Sequence, residues 1–515
     1  MNGAQALIRT LVGCGVDVCF ANPGTSEMHF VAALDDVPEM RAVLGLFEGV
    51  VTGAADGYGR MSGKPAATLL HLGPGLGNGI ANLHNARRAR TPVVNVVGDH
   101  ATYHLAYDPP LTSDIESLAR PVSNWFRSSA TPHTLAADAV DAVQGALGAP
   151  GGVATLVVPA DLSWQEAGEP ATGHPRRVLE TAGADVVAEA AKALRSGEPA
   201  VLIVGGDAVR ARGLVAASRI ANATGARLLC ETFPARMERG AGLPGVERLG
   251  YLAEFTIAQL EGAHHLVLAG ATAPVSFFAY PGVPGYLVPE GCEVHPLATA
   301  SDDVAEALEA LADAVGAPPD AATLEAAARP ELPTGPLNAQ TMAAAIGALL
   351  PEGAVVSDEG NTSGLFVSGA TAGAPRHDWL CLTGGAIGQG MPVATGAAVA
   401  CPDRKVLCLE ADGSAMYTLQ SLWTQAREGL DVTTVVLNNG SYAILELELS
   451  RVGAGDPGPR ARGMLDIKRP DLDFVALASG MGVSAWRATT AEEFTVQLER
   501  ALSTPGPALV EAVLR

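Results

Sequence analysis

Short, largely apolar runs punctuate the chain at residues 67–70, 93–97, 200–204, 266–268, 406–409 and 433–437, each followed by a glycine-rich turn and a stretch with helical spacing. Apolar runs without alternation suit strands covered on both faces, the habit of parallel sheets flanked by helices. The pattern predicts an α/β fold. Further strands are read at 16–20 and 354–356, and residues 303–315 set alanine and leucine at the spacing of a packing helix.

Two stretches break this rhythm. Residues 164–181 are rich in Gly, Pro, Glu and Arg, and residues 316–336 carry five prolines and two glycines, so both read as linkers. They divide the chain into domains at about 1–165, 182–316 and 336–515. An echo links the outer two: Ala146-Leu147-Gly148-Ala149-Pro150-Gly151 precedes an apolar run, as does Ala501-Leu502-Ser503-Thr504-Pro505-Gly506. The first and last thirds are expected to share one fold.

With 515 residues, 48% hydrophobic and 17% charged, the chain has apolar side chains for several cores, which excludes a disordered tail or a stapled mini-protein. The net charge of −22 repels phosphate backbones and anionic lipid, so neither nucleic acid nor a membrane is expected as a partner. Seven cysteines without a CxxC pair read as reduced thiols, and the amino terminus lacks the pattern of a signal peptide; a cytoplasmic location is expected. The uncharged stretch 381–401 holds five glycines, a poor lipid-facing helix and a better buried backbone.

The sharpest chemical signal is Glu410-Ala411-Asp412-Gly413-Ser414, followed after 23 residues by Asn438-Asn439. Asp412 and Asn439 each end an apolar run, so a returning helix sets both at the carboxyl edge of a parallel sheet, where ligands bind. A carboxylate oxygen, an amide oxygen and a nearby backbone carbonyl such as that of Ser441 make half an octahedral shell, a donor set for Mg²⁺ with phosphate oxygens and water completing it. Gly413 lets backbone approach a phosphate, and the Ser414 amide at a helix start adds a donor. Each half alone also reads as an ordinary turn; the pairing at this spacing points to function.

This spacing resembles that of the thiamine-diphosphate-dependent decarboxylase and acetolactate synthase superfamily, with Ala411 in place of the first glycine of its Gly-Asp-Gly signature. The resemblance covers essentially the whole chain. It implies pyrimidine-binding, central and diphosphate-binding domains, thiamine diphosphate and Mg²⁺ as cofactors, and a homodimer or homotetramer in which Glu48 of one copy meets the cofactor cradle of another. Glu48 follows Leu44-Gly45-Leu46-Phe47 and precedes a small-residue helix at 49–60; a buried carboxylate there would have a raised pKa, whereas a helix-start glutamate would simply satisfy free amides. In the family the matching glutamate binds N1′ of the aminopyrimidine and drives removal of the C2 proton. The segment Thr383-Gly384-Gly385-Ala386-Ile387-Gly388-Gln389-Gly390-Met391-Pro392 is too glycine-rich for a regular element. By resemblance it is the cradle, with the Gly385 carbonyl and Ile387 amide on the pyrimidine and Ile387 as the apolar wedge. Asn361 and Thr362 match a region at the diphosphate end.

The substrate side is more open. Thr25, in Asn22-Pro23-Gly24-Thr25, and His71, before Gly73-Pro74-Gly75, resemble substrate-contacting positions of the benzoylformate decarboxylase family, although a lone histidine also reads as one satisfied by backbone. That family's second active-site histidine has no match in 274–280, which puts aryl keto acids in doubt. Leu445 stands where pyruvate decarboxylases have a glutamate, Glu446 falls one residue late, and the tryptophan of acetolactate synthases is missing from 446–450. Asp99, His100 and His104 are further polar candidates. Val204-Gly205-Gly206-Asp207 lacks a full dinucleotide fingerprint, so FAD is not expected and a nicotinamide oxidoreductase is disfavoured. The resemblance implies decarboxylation of a 2-keto acid, with the resulting enamine protonated or joined to an aldehyde or keto-acid acceptor. A true acetohydroxyacid synthase and a catalytically silent cofactor-binding regulator are the alternatives.

Overall fold

A computed structural model describes residues 1–514. Three predominantly parallel sheets are flanked by helices. The first comprises β1 (Val18–Asn22), β2 (Arg41–Leu44), β3 (Ala66–Leu70), β4 (Val93–Asp99), β5 (Trp125–Ser128) and β6 (Val153–Pro159). Next in the chain come β7 (Ala200–Val204), β8 (Arg227–Cys230), β9 (Met237–Arg239), β10 (Glu247–Arg248), β11 (His265–Ala269) and β12 (Glu293–Ala298), of which all but β9 form the second sheet. The third is built from β13 (Val355–Glu359), β14 (His377–Cys381), β15 (Val406–Ala411), β16 (Val432–Asn438), β17 (Ser484–Ala488) and β18 (Ala508–Val513). Among the described residues, no helix is long and apolar enough to cross a membrane.

The first sheet runs β2-β1-β3-β4-β6-β5, and the third runs β14-β13-β15-β16-β18-β17. Numbered within each unit, both orders are 2-1-3-4-6-5, so the outer thirds do share a fold. The repeated Pro-Gly turn leads into the fifth strand of that order each time, β6 and β18. β9 breaks the symmetry by pairing antiparallel with β14, which ties the middle of the chain to the last sheet.

Some element bounds differ from the sequence expectation. The first strand lies two residues later, at Val18–Asn22, because Val16 and Asp17 form the approach from the preceding helix. The strand expected at 354–356 extends through Glu359, whose buried carboxylate has amide partners that make an acidic residue tolerable inside a sheet. The glycine-rich segment is irregular only to Gln389; from Gly390 it is already a helix, Gly390–Ala400, with Pro392 in the first turn, where its missing N–H costs nothing.

That helix packs against Glu48–Ser62 of the first unit through small residues on both sides. A Cβ on Gly57 would fall 2.0 Å from the Val393 carbonyl oxygen, and one on Gly396 would fall 1.8 Å from that of Ala54. A buried ion pair pins the contact. Arg60 donates to Asp56 at 2.8 and 2.5 Å, to the Cys381 carbonyl at 2.7 Å and to the Thr383 hydroxyl at 2.9 Å. Breaking such a pair by removing one partner costs about 3–5 kcal/mol, since the other charge is left buried.

Candidate active site

The carboxyl edge of the third sheet gathers the residues expected at the diphosphate and metal. Asp412 follows β15 directly and opens the helix Asp412–Thr418, while Asn439 follows β16. Asp412 Oδ1 accepts from the Gly413 amide at 2.8 Å and Oδ2 from the Gly440 amide at 2.6 Å, which joins the two strand ends. Asn439 Oδ1 accepts from the Ser441 amide at 2.8 Å, and its Nδ2 donates to Ser363 Oγ at 3.2 Å. Each of these oxygens carries more than one lone pair, so one amide does not exhaust its capacity for a cation. The oxygen donor set fits Mg²⁺.

Asn361 sits in the left-handed region, with φ of 46°, and donates to Ser414 Oγ at 3.2 Å; Thr362 beside it is exposed. Ser363 joins this group through Asn439 and was not singled out by sequence, since a serine in a loop carries no distinctive signal. At Gly413 the space that a Cβ would take is filled by the Tyr442 ring, 2.4 Å from the ideal position. Glycine is required there by the tyrosine as well as by any phosphate.

The cradle is held open by its own carbonyls and amides. Glu359 accepts from the Gly388 and Gly390 amides at 2.7 and 2.5 Å. From the first unit, Asn85 Nδ2 donates to the Ala386 carbonyl at 2.8 Å and Asn82 Nδ2 to the Gly388 carbonyl at 3.2 Å. Gly385 and Gly388 have φ of 75° and 91°, accessible at low cost only to glycine. The described hydrogen bonds use neither the Gly385 carbonyl nor the Ile387 amide, so both remain to meet a ring with matching donors and acceptors. Phe277 lies over Gly385, at 2.8 Å from an ideal Cβ, and forms an aromatic cluster with Phe233, Tyr251 and Phe278.

Beneath the cradle, Glu410 and Glu359 face each other from paired positions on β15 and β13. Burial pushes the Glu359 carboxyl up to about 7 against the pull of its amide partners. Burial, with Glu359 nearby, also drives Glu410 well above the carboxylate range, and its Oε1 is buried without a hydrogen-bond partner.

A second cluster occupies the carboxyl edge of the first sheet. His71 immediately precedes the helix Leu72–Ala89, and its Nδ1 lies 2.8 Å from Glu27 Oε2, which also accepts from the Gly24 amide at 2.7 Å. Desolvation raises the Glu27 carboxyl above its ordinary value. Thr25 is exposed at the start of the same turn. Glu27 was missed in the sequence because the acid sits in a short turn. Only the fold shows why the acid fits: at Gly98, at the end of β4, a Cβ would fall 1.7 Å from Glu27 Oε1. Asp99 and His100 follow on that strand end; burial raises the Asp99 carboxyl, and the His100 ring meets His104 edge to face, with centroids 5.7 Å apart.

Glu48 departs from the expected burial. It begins its helix and is half-exposed in the single chain, where its Oε2 accepts from Asn78 Nδ2 at 3.0 Å. Its Oε1 lies close to Gly75, which also abuts the His71 Cβ, so Glu48 and His71 share one face. In the central unit Gly206 donates its amide to Glu231 at 2.9 Å, and the adjoining cleft is lined by Arg60, Arg90, Arg177 and Arg210.

Fold and site together describe an α/β protein in which two like units address one glycine cradle. Residues 1–118 match the family model for the thiamine pyrophosphate enzyme, N-terminal TPP binding domain, and residues 358–512 match the corresponding C-terminal domain. A Mycobacterium tuberculosis protein provisionally named acetolactate synthase large subunit IlvX is 62% identical, with 100% of this chain and 99% of that protein covered. Benzoylformate decarboxylase of Pseudomonas aeruginosa is 32% identical over 96% of each. The thiamine diphosphate-dependent 4-hydroxybenzoylformate decarboxylase of Rhodococcus jostii RHA1 superposes with a TM-score of 0.86 at 26% identity, covering 100% of this chain and 99% of that one. The chain belongs to the thiamine pyrophosphate enzymes. It falls with their decarboxylases and acetolactate synthases, as a carbon–carbon lyase or transferase.

Proposed function

We propose that this enzyme uses thiamine diphosphate with Mg²⁺ to decarboxylate a 2-keto acid bearing an apolar side group, and then releases an aldehyde or joins the fragment to a second carbonyl. The observation that carries the reading is the Glu27–His71 pair beside Thr25, an acid–base couple on the edge that also presents Glu48. When bound, thiamine diphosphate would supply the nucleophilic carbon for the keto carbonyl and the electron sink for decarboxylation.

The chain's own residues do the rest. Asp412, Asn439 and the Ser441 carbonyl would hold Mg²⁺; Asn361, Thr362, Gly413 and Ser414 would position the diphosphate; the Gly385 carbonyl, the Ile387 amide and the Ile387 side chain would seat the pyrimidine. Glu48 would bond the ring nitrogen. The Thr25 hydroxyl would hold the substrate carboxylate, and His71, oriented by Glu27 through Nδ1, would move a proton at Nε2. Phe277 and its aromatic neighbours give an apolar wall at the cradle, which favours an aryl or branched side group over that of pyruvate.

The active form is a homodimer or larger homo-oligomer. Exposed apolar side chains crowd both carboxyl edges: Met28, Leu46 and Tyr107 on the first unit, Leu365, Tyr417 and Leu445 on the last. Apposing these edges between two copies would cover both patches and bury Glu48 against the partner's cradle.

A mass-spectrometric screen of 2-keto acids against reconstituted holoenzyme, with and without aldehyde acceptors, tests the proposal. Turnover of phenyl- or branched-chain keto acids ahead of pyruvate is expected. Acetolactate from pyruvate alone would install the synthase reading instead, and cofactor binding without turnover on any keto acid would overturn the proposal.

A further inference from the structure

We propose a divalent transition-metal site, suited to Zn²⁺, on the face of the second sheet, formed by His265, Glu293 and His295 and separate from the cofactor machinery. His265 opens β11, and Glu293 and His295 stand two residues apart on β12, the edge strand. The register pairs His265 with Glu293, and the period of two along a strand puts all three on one face.

The distances suit a metal. His265 Nδ1 and His295 Nε2 are 3.1 Å apart, and the same Glu293 Oε2 lies 3.7 Å from the first and 3.8 Å from the second. A triangle with those sides has its centre about 2.1 Å from every corner, within the usual ~2.0–2.2 Å of Zn–N and Zn–O bonds. A cation there would have three protein ligands, with one position left for water.

The outer nitrogens strengthen the case. His265 Nε2 is 3.0 Å from Glu198 Oε2, and His295 Nδ1 is 3.8 Å from Glu189 Oε1. The Glu198 carboxylate behind His265 draws the proton to Nε2 and turns the Nδ1 lone pair toward the centre, and Glu189 adds a negative charge behind His295. Without an ion the two inner nitrogens share a hydrogen bond at 3.1 Å; with the protons on the outer nitrogens, two lone pairs and the Glu293 carboxylate oxygen converge on one point where a cation fits. Both imidazoles are about one-tenth exposed (10% and 11%), whereas Glu293 is 71% exposed, so an ion reaches the site from solvent. Two nitrogens and one oxygen select Zn²⁺ over Mg²⁺, which prefers the all-oxygen set at Asp412. Bound there, the ion clips the edge strand β12 to β11, with the helix Ala184–Leu194 tethered through Glu189.

The test starts from full-length holoenzyme stripped with a chelator and dialysed into Mg²⁺. After addition of ZnCl₂ and gel filtration, elemental analysis should find one Zn²⁺ per chain in the wild type and in Asp412→Ala, and Co²⁺ in place of Zn²⁺ should give a tetrahedral absorption band. His265→Gln/His295→Gln should retain none, and Glu293→Gln, at an exposed position that cannot compromise folding, should weaken Zn²⁺ at least tenfold. Circular dichroism of each variant in chelator should match the wild type. Equal zinc retention by the wild type, the double-histidine variant and Glu293→Gln, or loss of zinc in Asp412→Ala alone, would overturn the assignment.

Discussion

Glu27 Oε2 and His71 Nδ1 stand 2.8 Å apart, and the space that allows it is the missing side chain of Gly98. The carboxylate is buried while the imidazole retains about a quarter of its exposure, at 23%, so the pair presents its polar face through the ring. Acid–base residues of this kind contribute about 10²–10⁴-fold to rate when positioned correctly.

His71→Ala should therefore lower kcat by about 10²–10³-fold while leaving cofactor affinity within a factor of two or so. Gly98→Ala offers a finer check: its methyl would displace the Glu27 carboxylate without deleting either partner, and kcat should fall at least about tenfold. Steady-state kinetics with cofactor titration decide the matter. Full activity in Gly98→Ala would show that the pair does not work as a unit.

Glu48→Gln preserves shape and removes the negative charge. Bound thiamine diphosphate should then exchange its C2 proton for deuterium at least about 10²-fold more slowly, with retention by gel filtration unchanged. Quenched-flow NMR measures the exchange. Wild-type exchange would remove Glu48 from the activating role.

How much of this was legible in the sequence follows from how local each signal is. Asp412 and Asn439 end apolar strands, and the strand period with the right-handed crossover fixes where they meet. The shared order of the outer sheets was foreshadowed by the repeated Pro-Gly turn. Glu27 escaped because its partners, His71 and Gly98, come from β3 and β4, and nothing along the chain announces that contact. Glu359 and Glu410 were opaque for the same reason: an acid inside an apolar run looks like an exposed strand end until the neighbouring strand places a second acid opposite it. The half-exposure of Glu48 is that of the single chain, and the proposed apposition of a second copy would cover it.

Asp412 bridges two strand ends as well as offering oxygens to a cation. Asp412→Ala should abolish Mg²⁺-dependent retention of thiamine diphosphate and also loosen the Asn439–Ser441 loop. Asp412→Asn is the sharper variant: one oxygen remains to accept an amide, but the charge is gone, and cofactor affinity in Mg²⁺ should drop by at least about tenfold. Isothermal titration with and without Mg²⁺ reads both. Affinity independent of Mg²⁺ in the wild type would refute the metal role.

Glu410 and Glu359 make a stability test with a definite sign. In the unfolded chain both carboxyls ionise near their ordinary value of 4.5, whereas in the folded chain burial holds the proton on Glu359 up to about 7 and also holds it on Glu410 well above the ordinary value. A raised carboxyl favours the folded state fully at pH below 4.5, and that advantage is lost as pH rises, each unit of elevation being worth about 1.4 kcal/mol. Glu410→Gln removes one titrating group and the like charge beside Glu359 at nearly constant volume, and an amide can still meet Cys408 Sγ, 3.6 Å from Glu410 Oε2. Its melting temperature should exceed that of the wild type by several degrees at pH 8, and the gap should narrow as the pH falls to 5. Differential scanning calorimetry across that range checks the slope; a gap that stays constant with pH would mean that Glu410 does not hold its proton in the folded enzyme.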